Sequence, residues 1–310
     1  MTGDAFVCCG VGEEQYALRA MDVRQIVRSE RIREAASADG RVGVLEFAGA
    51  IVPVFPLGRA LGRPAARVST ASGGHVVVTG GDRDLIGWLV DGIERTPIGD
   101  DCVIAPLPPI VGPRAARWFS AIVRDRDRSM LLLAPRGAQP ANRPRVRVGA
   151  AVPGPADRCV PAVIVFGSPA LPPADVARFA LSCRRVVAVA QDLSLTIVPG
   201  SARHVAGLAW WRDAVMPVID FRGAIASDAG GRRRCLVARG SERWGAAYVA
   251  LPVDADLVMH RPSAEDRVSV DVACPRFASG VFDVGGTHRM ALLDLDALLT
   301  GESAAIEEVA

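Results

Sequence analysis

An eleven-residue segment of this chain occurs twice, 164 positions apart. FAGAIVPVFPL begins at Phe47 and WRDAVMPVIDF at Trp211, and Pro53 and Pro217 stand at matching places. Gly43 and Gly207 each precede their copy by four residues. Solenoid repeats have periods of roughly 20 to 50 residues, so a repeat at this distance indicates a duplicated domain.

Other parts of the chain repeat in the same order. Tyr16-Ala17-Leu18 is followed by Val23 and Ile26, and Phe179-Ala180-Leu181 is followed by Val186 and Val189 at the same spacings. We therefore predict domains at residues 4–135 and 161–301, with a tail at 302–310. Residues 136–160, rich in Pro, Gly, Ala and Arg, are predicted to be a linker. A flexible linker of this length spans roughly 28 Å.

Composition narrows the possible functions. A length of 310 residues fits about two domains. The net charge of +2 gives no electrostatic case for nucleic-acid binding. The sequence contains no lysine, which excludes a Schiff base, a phosphate-loop lysine and a receiver-domain lysine. The N-terminus does not read as a signal peptide and no apolar run reaches 18 residues, so a cytoplasmic protein is expected.

The fold predicted from local patterns is all-β. Apolar segments of four to eight residues alternate with Gly, Pro, Asp and Ser, which is typical of many short strands in barrels or sandwiches. Short helices are predicted only at Met21–Ser29, Leu57–Leu61 and Asp294–Leu299.

No catalytic motif is recognisable. The four histidines are far apart in sequence, and the seven cysteines never form a C-x-x-C pair, so no metal or cofactor is expected. Cys8 and Cys9 could form a reactive thiol pair, but inert packing on a first strand is the simpler interpretation. We therefore predict that the chain is not an enzyme.

The repeated element, the preceding Y-A-L or F-A-L and the later V-D-G-I (residues 90–93) resemble the CheW family of chemotaxis coupling proteins. The resemblance implies that each copy consists of two SH3-like five-stranded β-barrels. It also implies a non-enzymatic adaptor that couples methyl-accepting chemoreceptors to the regulatory domain of a CheA-type histidine kinase. Such a protein would be recruited from the cytoplasm to membrane-associated receptor arrays without entering the membrane, and other CheW-like proteins are further candidate partners.

The family pattern L-R-G-x-x-x-P-V-x-D-L is divided unequally between the copies. Its arginine and aspartate fall on Arg212 and Asp220 in the second copy, and on Ala48 and Pro56 in the first. Its glycine is Gly49 in the first copy and Asp213 in the second. The V-x-E-I segment appears at residues 23–26 and 186–189 without its glutamate. Asp91 matches the family, and Val249 is taken as its counterpart.

The chemistry of these motif residues suggests a role for each of them. Trp211 and Arg212 are expected to alternate along a strand, which would make Arg212 either a binding anchor or the partner of Asp213 in a rim salt bridge. Pro53 and Pro217 cannot donate to a ladder and are expected at a sheet edge or a bulge. The remaining partner-binding candidates are expected in the core, lining the contact between barrels: Val23, Ile26, Val186 and Val189. Gly43, Gly207 and Asp91 are expected to be structural.

Three functions follow in order of preference. The first is a tandem adaptor of bacterial chemotaxis. The second is a diverged CheW-like scaffold that no longer activates a kinase and organises another chemosensory or motility pathway. The third is an enzyme of unknown type that uses Cys8 or Cys9.

Overall fold

A computed structural model describes residues 5–34, 40–63, 73–81, 84–94, 102–126, 128–134, 162–166, 178–202, 204–220, 233–241, 245–253, 257–263, 278–284 and 288–298. The chain divides into two compact units, which correspond to the two copies of the sequence repeat. The predicted linker and C-terminal tail lie outside the described residues. No helix among the described residues is long and apolar enough to span a membrane.

The first copy consists mainly of short strands. In chain order they are β1 (Phe6–Val11), β2 (Glu14–Arg19), β3 (Val23–Arg28), β4 (Arg33–Glu34), β5 (Gly43–Phe47), β6 (Ala50–Pro56), β7 (His75–Thr79), β8 (Ile86–Val90), β9 (Gly92–Glu94), β10 (Val103–Pro106), β11 (Phe119–Asp125) and β12 (Arg128–Leu133). Two α-helices accompany them, α1 (Leu57–Ala60) and α2 (Pro113–Trp118), together with 3-10 turns at Ala20–Asp22, Ser29–Arg31 and Pro109–Val111.

The second copy repeats this pattern. Its strands are β13 (Val163–Phe166), β14 (Arg178–Ser182), β15 (Val186–Leu193), β16 (Leu195–Thr196), β17 (Val205–Trp211), β18 (Ala214–Ile219), β19 (Arg233–Ser241), β20 (Ala246–Pro252), β21 (Leu257–His260), β22 (Ala278–Val284) and β23 (His288–Leu293). One helical turn follows at residues 295–298, where the side-chain carboxylate of Asp294 accepts hydrogen bonds from the backbone N–H groups of Asp296 and Ala297.

Each copy holds two sheets, one inserted into the other along the chain. The inserted sheet of the first copy has the order β3-β7-β8-β6-β5-β4 and is continuous in sequence. The split sheet takes strands from both ends of the copy, in the order β10-β11-β12-β2-β1-β9. The second copy repeats the order of the inserted sheet, as β15-β19-β20-β18-β17-β16, and five strands of the split sheet, as β22-β23-β14-β13-β21, with no counterpart of β10 among the described residues. The prediction of an all-β fold is confirmed, because the described residues form four sheets of short strands with only a few short helices.

Details of strand pairing are duplicated as well. The inserted sheets contain one parallel pair each, β6 with β8 and β18 with β20. The ladder of β3 shifts register between Val23 and Gln25, and that of β15 shifts between Val186 and Ala188. A bulge at the same place in both copies shows that residues 23–26 and 186–189 are structural equivalents, as the sequence spacing predicted.

Apolar side chains fill each sheet of the two copies. The inserted sheet of the first copy buries eight of them, namely Val27, Ile32, Leu45, Val52, Val54, Val76, Val78 and Leu89. Its counterpart in the second copy buries Ala190, Leu193, Ala209, Met216, Val218, Cys235, Val237 and Ala250. Burial of a large aliphatic side chain contributes about 1.5–3 kcal/mol, so each sheet has a substantial core of its own.

Two predictions about local structure are wrong. Met21–Ser29 is mainly the strand β3, because β-branched Val23, Ile26 and Val27 pair with β7 and this pairing outweighs a weak helical pattern. Pro53 and Pro217 lie in β6 and β18, which have neighbours on both sides and are not edge strands. Each proline stands one residue before the parallel pairing with β8 or β20 begins, so that pairing does not need the missing N–H.

Candidate functional site

The repeated motif forms a tight hairpin in each copy. In the first copy Phe47 pairs with Ala50, and the two loop residues Ala48 and Gly49 have φ angles of 48° and 78°. Positive φ at both loop positions is characteristic of the type I′ turn that suits a two-residue hairpin. The side chain of the first loop residue projects from the end of the hairpin, where a partner can reach it.

The second copy has Arg212 and Asp213 at these two loop positions, because Trp211 pairs with Ala214. Arg212 therefore lies in the turn, with φ 54°, and the expectation that it alternates with Trp211 along a strand is wrong. A left-handed backbone is costly for most residues other than glycine, asparagine and aspartate. This conformation alone does not mark a functional residue, so the role of Arg212 depends on what its side chain contacts.

Aromatic rings support Arg212. Its guanidinium carbon lies 4.3 Å from the centroid of the Trp211 ring, which is within the range of a cation–π contact. Trp211 in turn meets Tyr248 edge to face, with ring centroids 4.8 Å apart and planes at 77°. Trp211 and Tyr248 both pack against the core of the inserted sheet. The Arg212 side chain thus stacks on an aromatic pair that packs against the core. We call Trp211, Arg212 and Tyr248 the arginine platform.

The first copy has no such platform. Strand register places Phe47, Ala48 and Leu85 where the second copy has the three platform residues. Neither the cation nor the second aromatic ring is present there. The two copies therefore share a left-handed first loop position at this hairpin, but the second loop position has positive φ only at Gly49, and the exposed side chains differ.

Asp220 is not a surface residue. Only 8% of it is exposed, and its backbone N–H donates a 2.8 Å hydrogen bond to the carbonyl of His204. Strand register confirms that Pro56 is its counterpart in the first copy. Asp220 lies inside the second copy, directly after the hairpin strand β18, and its contact with a partner stays a prediction.

The four aliphatic candidates are not core residues, contrary to expectation. Val23 and Ile26 lie on β3, and Val186 and Val189 on β15, which are edge strands of the two inserted sheets. All four are partly exposed, and Val189 has 40% of its surface accessible. They are partly exposed because β3 and β15 each have a described neighbouring strand on one side only. These residues are consequently available to a partner.

Gly43 and Gly207 are structural, for the same reason in both copies. A Cβ atom on Gly43 would lie 2.5 Å from the carbonyl oxygen of Arg33, and one on Gly207 would lie 2.5 Å from that of Thr196. In each case the atom it would meet belongs to the short strand beside it, β4 or β16. Only glycine permits this approach.

Asp91 fixes the first hairpin of the first copy. One carboxylate oxygen of Asp91 accepts a 2.6 Å hydrogen bond from the backbone N–H of Gly12. The backbone N–H of Asp91 donates a 2.9 Å hydrogen bond to the carbonyl of Gly10. The counterpart suggested for the second copy was wrong, since Val249 lies within β20 at the place of Ile86. Because Ile86 corresponds to Val249, the residue that corresponds to Asp91 in the sequence of the second copy is Asp254, which lies outside the described residues.

The structure gives no support to thiol chemistry at Cys8 or Cys9. Cys8 and Cys9 are almost fully buried on β1. Burial, with a smaller effect of the neighbouring Cys8, raises the pKa of the Cys9 thiol to about 12. A thiol in this state is a poor nucleophile. Within the described residues, no group of three or more His, Cys, Asp or Glu side chains is arranged to hold a metal ion.

Sequence reasoning missed two polar and aromatic clusters in the first copy. The Tyr16 hydroxyl donates to Glu14 at 2.5 Å, and Glu14 also pairs with Arg63. Burial and the Glu14 hydrogen bond raise the pKa of Tyr16. Trp88 meets Trp118 edge to face at 5.8 Å. The sequence offered one signal of the Tyr16 cluster. Tyr16 stands where the second copy has Phe179, and of these two residues only a buried tyrosine needs a hydrogen-bonding partner.

Comparison with known proteins adds a family match. The model of the family described as CheW-like domain matches residues 5–138 and, separately, 174–303. The chain is similar to the crystal structure of scaffolding protein TtCheW from Thermoanaerobacter tengcongensis, with 22% identity and a TM-score of 0.37. That match covers 42% of this chain and 88% of the other. No curated protein matches the chain significantly.

Proposed function

Because this chain belongs to the CheW-like domain family, whose members are non-enzymatic scaffolds of chemotaxis signalling, we propose that it couples chemoreceptors to a CheA-type histidine kinase. Coupling would operate through protein contacts alone. The proposed partners are the receptor tips and the kinase regulatory domain, and the proposed location is the cytoplasmic face of a receptor array. The observation that carries this proposal is the arginine platform, a rigid cationic surface at the motif that both copies share.

The platform has the properties of a binding anchor. Arginine, tryptophan and tyrosine are the residues most enriched among interface hot spots, and this platform contains all three. Stacking on Trp211 limits the conformations of the arginine side chain before a partner arrives. Less conformational entropy is then lost on binding, and a given contact yields more affinity. A planar guanidinium favours a partner that presents a carboxylate.

The two copies are proposed to contribute unequally. The second copy, with Arg212, is the principal binder, and the first, with Ala48 in the same turn, adds a weaker contact. Joining two modest surfaces in one chain can raise avidity by a factor of about 10² to 10⁴ without any new contact. The apolar edge residues Val23, Ile26, Val186 and Val189 are proposed to extend these surfaces.

A second candidate function is a CheW-like scaffold that no longer activates a kinase. The observation that favours it is the loss of polar family residues, since Ala48 replaces the family arginine at an exposed turn and both edge strands lack the family glutamate. Measuring kinase autophosphorylation in receptor-containing membranes, with and without this chain, separates the two functions. Stimulation supports coupling, whereas binding without stimulation supports the diverged scaffold.

Replacing Arg212 with alanine tests the proposal. The substitution keeps a Cβ atom, so the left-handed turn experiences the same strain and only the side chain is removed. Loss of a hot-spot side chain costs about 1–3 kcal/mol, which corresponds to roughly 5- to 150-fold weaker binding. Calorimetric titration of the full chain with a receptor tip or a kinase regulatory domain measures this change.

The chain provides a matched control in Arg126→Ala. Arg126 also occupies a hairpin turn with positive φ, is exposed, and lies in the first copy between β11 and β12. We expect Arg126→Ala to leave both dissociation constants unchanged. Equal affinities for the unsubstituted chain and Arg212→Ala would remove the arginine platform from the binding site.

A further inference from the structure

The two copies differ at one edge of their split sheets, next to the first strand. In the first copy this edge is β9, and in the second it is β21. Cys8 pairs with Ala17 and with Glu94, whereas Val165 pairs with Ala180 and with Val258. Since Ala17 and Ala180 are equivalent by the sequence repeat, Glu94 and Val258 occupy the same place.

In the first copy, charged side chains lie at this edge of the split sheet. Glu94 is exposed on β9 and forms a 3.1 Å ion pair with Arg128 of β12. An exposed charged pair of this kind adds little stability. It does prevent another strand from adding to the sheet, because that strand would have to desolvate the charges.

The edge of the second copy has no such protection. The sequence of β21 is Leu-Val-Met-His, and Val258 and Met259 expose 49% and 67% of their surface. The inner side of β21 pairs with β13, and no described strand pairs with its outer side. An uncharged edge with two exposed apolar side chains is a template for a further strand.

We propose that β21 is a self-association site, at which a second copy of this chain adds its own β21 in antiparallel orientation. The contact is isologous, because the same strand lies on both sides of a two-fold axis. Closed two-fold dimers are by far the commonest symmetric assemblies of soluble proteins. This proposal does not depend on receptor or kinase binding and extends beyond the adaptor function.

Strand geometry selects one register. Residues directly opposite one another in an antiparallel ladder point to the same face of the sheet. The two-fold axis must therefore lie midway between two copies of the same residue, which we call the central residue of the register. With the axis at Val258, the two valines face each other and Leu257 faces Met259, so all three central pairs are apolar. With the axis at Met259, Leu257 would face the charged Arg261.

Charge is compatible with the register centred on Val258. Arg261 is exposed just beyond β21 and is the nearest cation to follow it in sequence. In this register the two Arg261 residues lie six residue steps apart, which is roughly 20 Å along the strand. That separation exceeds the Debye length of about 8–10 Å near physiological salt, so their repulsion is screened.

The size of the contact limits its strength. Pairing through four residues buries far less than the roughly 1,000 Å² expected of a stable interface. The dimer is therefore weak and forms only at high protein concentration, or where many chains are held close together, as in an array.

Sedimentation of the full chain tests the proposal, over about 5 to 500 μM, the range in which small contacts associate. The variants are Val258→Glu, which installs the residue that the first copy has at this place, and Met259→Glu. Met21→Glu is the control, because Met21 is 78% exposed but lies on a 3-10 turn outside any edge strand. Circular dichroism verifies that each variant is folded.

We expect the mean mass to rise with concentration for the unsubstituted chain and for Met21→Glu. We expect the dissociation constant to increase about ten-fold or more for both edge variants, because each would bury an unpaired charge. A chain that stays monomeric throughout this range, or a Val258→Glu variant that dimerises as well as the original, would overturn the proposal.

A second readout detects the register directly. Oxidation of Val258→Cys with copper–phenanthroline should join residue 258 to residue 258 of a second chain, identified by mass spectrometry, while Met21→Cys should give no such link. Intermolecular disulfides confined to the native cysteines would contradict the two-fold register. If self-association fails, receptor and kinase binding can still be measured on the same preparations, so the two proposals are tested separately.

Discussion

Individual residues explain why two copies of one backbone can have different roles. Arg212 and Ala48 occupy the same left-handed turn position, yet only Arg212 stacks on a tryptophan. An exposed cation–π contact contributes about 0.5–1 kcal/mol, which is enough to favour one arrangement of a long flexible side chain. Function at this scale therefore depends on a few side chains added to a shared scaffold.

A buried histidine of the second copy makes a prediction about pH. Burial lowers the pKa of His204 below its ordinary value of 6.5. The unfolded chain therefore takes up a proton at this residue more readily than the folded chain does. The resulting contribution to stability is fully present above pH 6.5 and is lost as the pH falls towards the lowered pKa.

We expect the thermal midpoint of the second copy to fall between pH 7.5 and pH 5.5 by more than that of a His204→Gln variant, because glutamine cannot gain a proton. Calorimetry at several pH values measures the difference. His75→Gln, in the first copy, serves as the control. An unchanged pH dependence in His204→Gln would show that other groups control acid stability.

At the scale of strands, the close approach of a glycine to a short edge strand is the most specific duplicated feature. Gly43 and Gly207 let β4 and β16 lie against β5 and β17 at a distance that no Cβ atom permits. The matching glycines in the sequence were a correct signal of this structure. The sequence could not reveal the atoms that they contact, because Arg33 and Thr196 belong to other strands.

We expect Gly43→Ala and Gly207→Ala each to lower the free energy of unfolding by about 1–3 kcal/mol, the range for overpacked sites. The added methyl group would collide with a backbone carbonyl, which cannot move aside as a flexible side chain can. Urea denaturation followed by circular dichroism measures the change. Gly92→Ala is the control, since Gly92 also lies in a strand but has no atom within 4 Å of an added Cβ. Equal effects at all three sites would contradict this explanation.

Strands also show where sequence patterns mislead. Val23, Ile26, Val186 and Val189 were predicted to be buried because they are aliphatic and regularly spaced. Their burial depends on which strand lies beside them, and among the described strands β3 and β15 each have one neighbour. Sheet order is a property of long-range pairing, so local periodicity cannot distinguish an edge strand from a central one.

For the whole molecule, the sequence repeat was enough to predict the class of fold and the duplication. It could not predict that the strands β3 to β8 form a sheet inserted in sequence between the two parts of the split sheet, because β2 and β12 are brought together only by tertiary pairing. The candidate site was predicted in part. Trp211 and Arg212 were identified from the motif, whereas Tyr248 joins them from β20 and was not foreseen.

The central claim is that this chain connects two partners by binding both at once. Co-sedimentation measures this directly: receptor-containing membranes are mixed with a CheA-type kinase, with and without the full chain, and the kinase in the pellet is quantified. We predict that adding the chain increases the sedimented kinase and that Arg212→Ala reduces the increase. An amount of sedimented kinase that does not change when the chain is added would contradict the account.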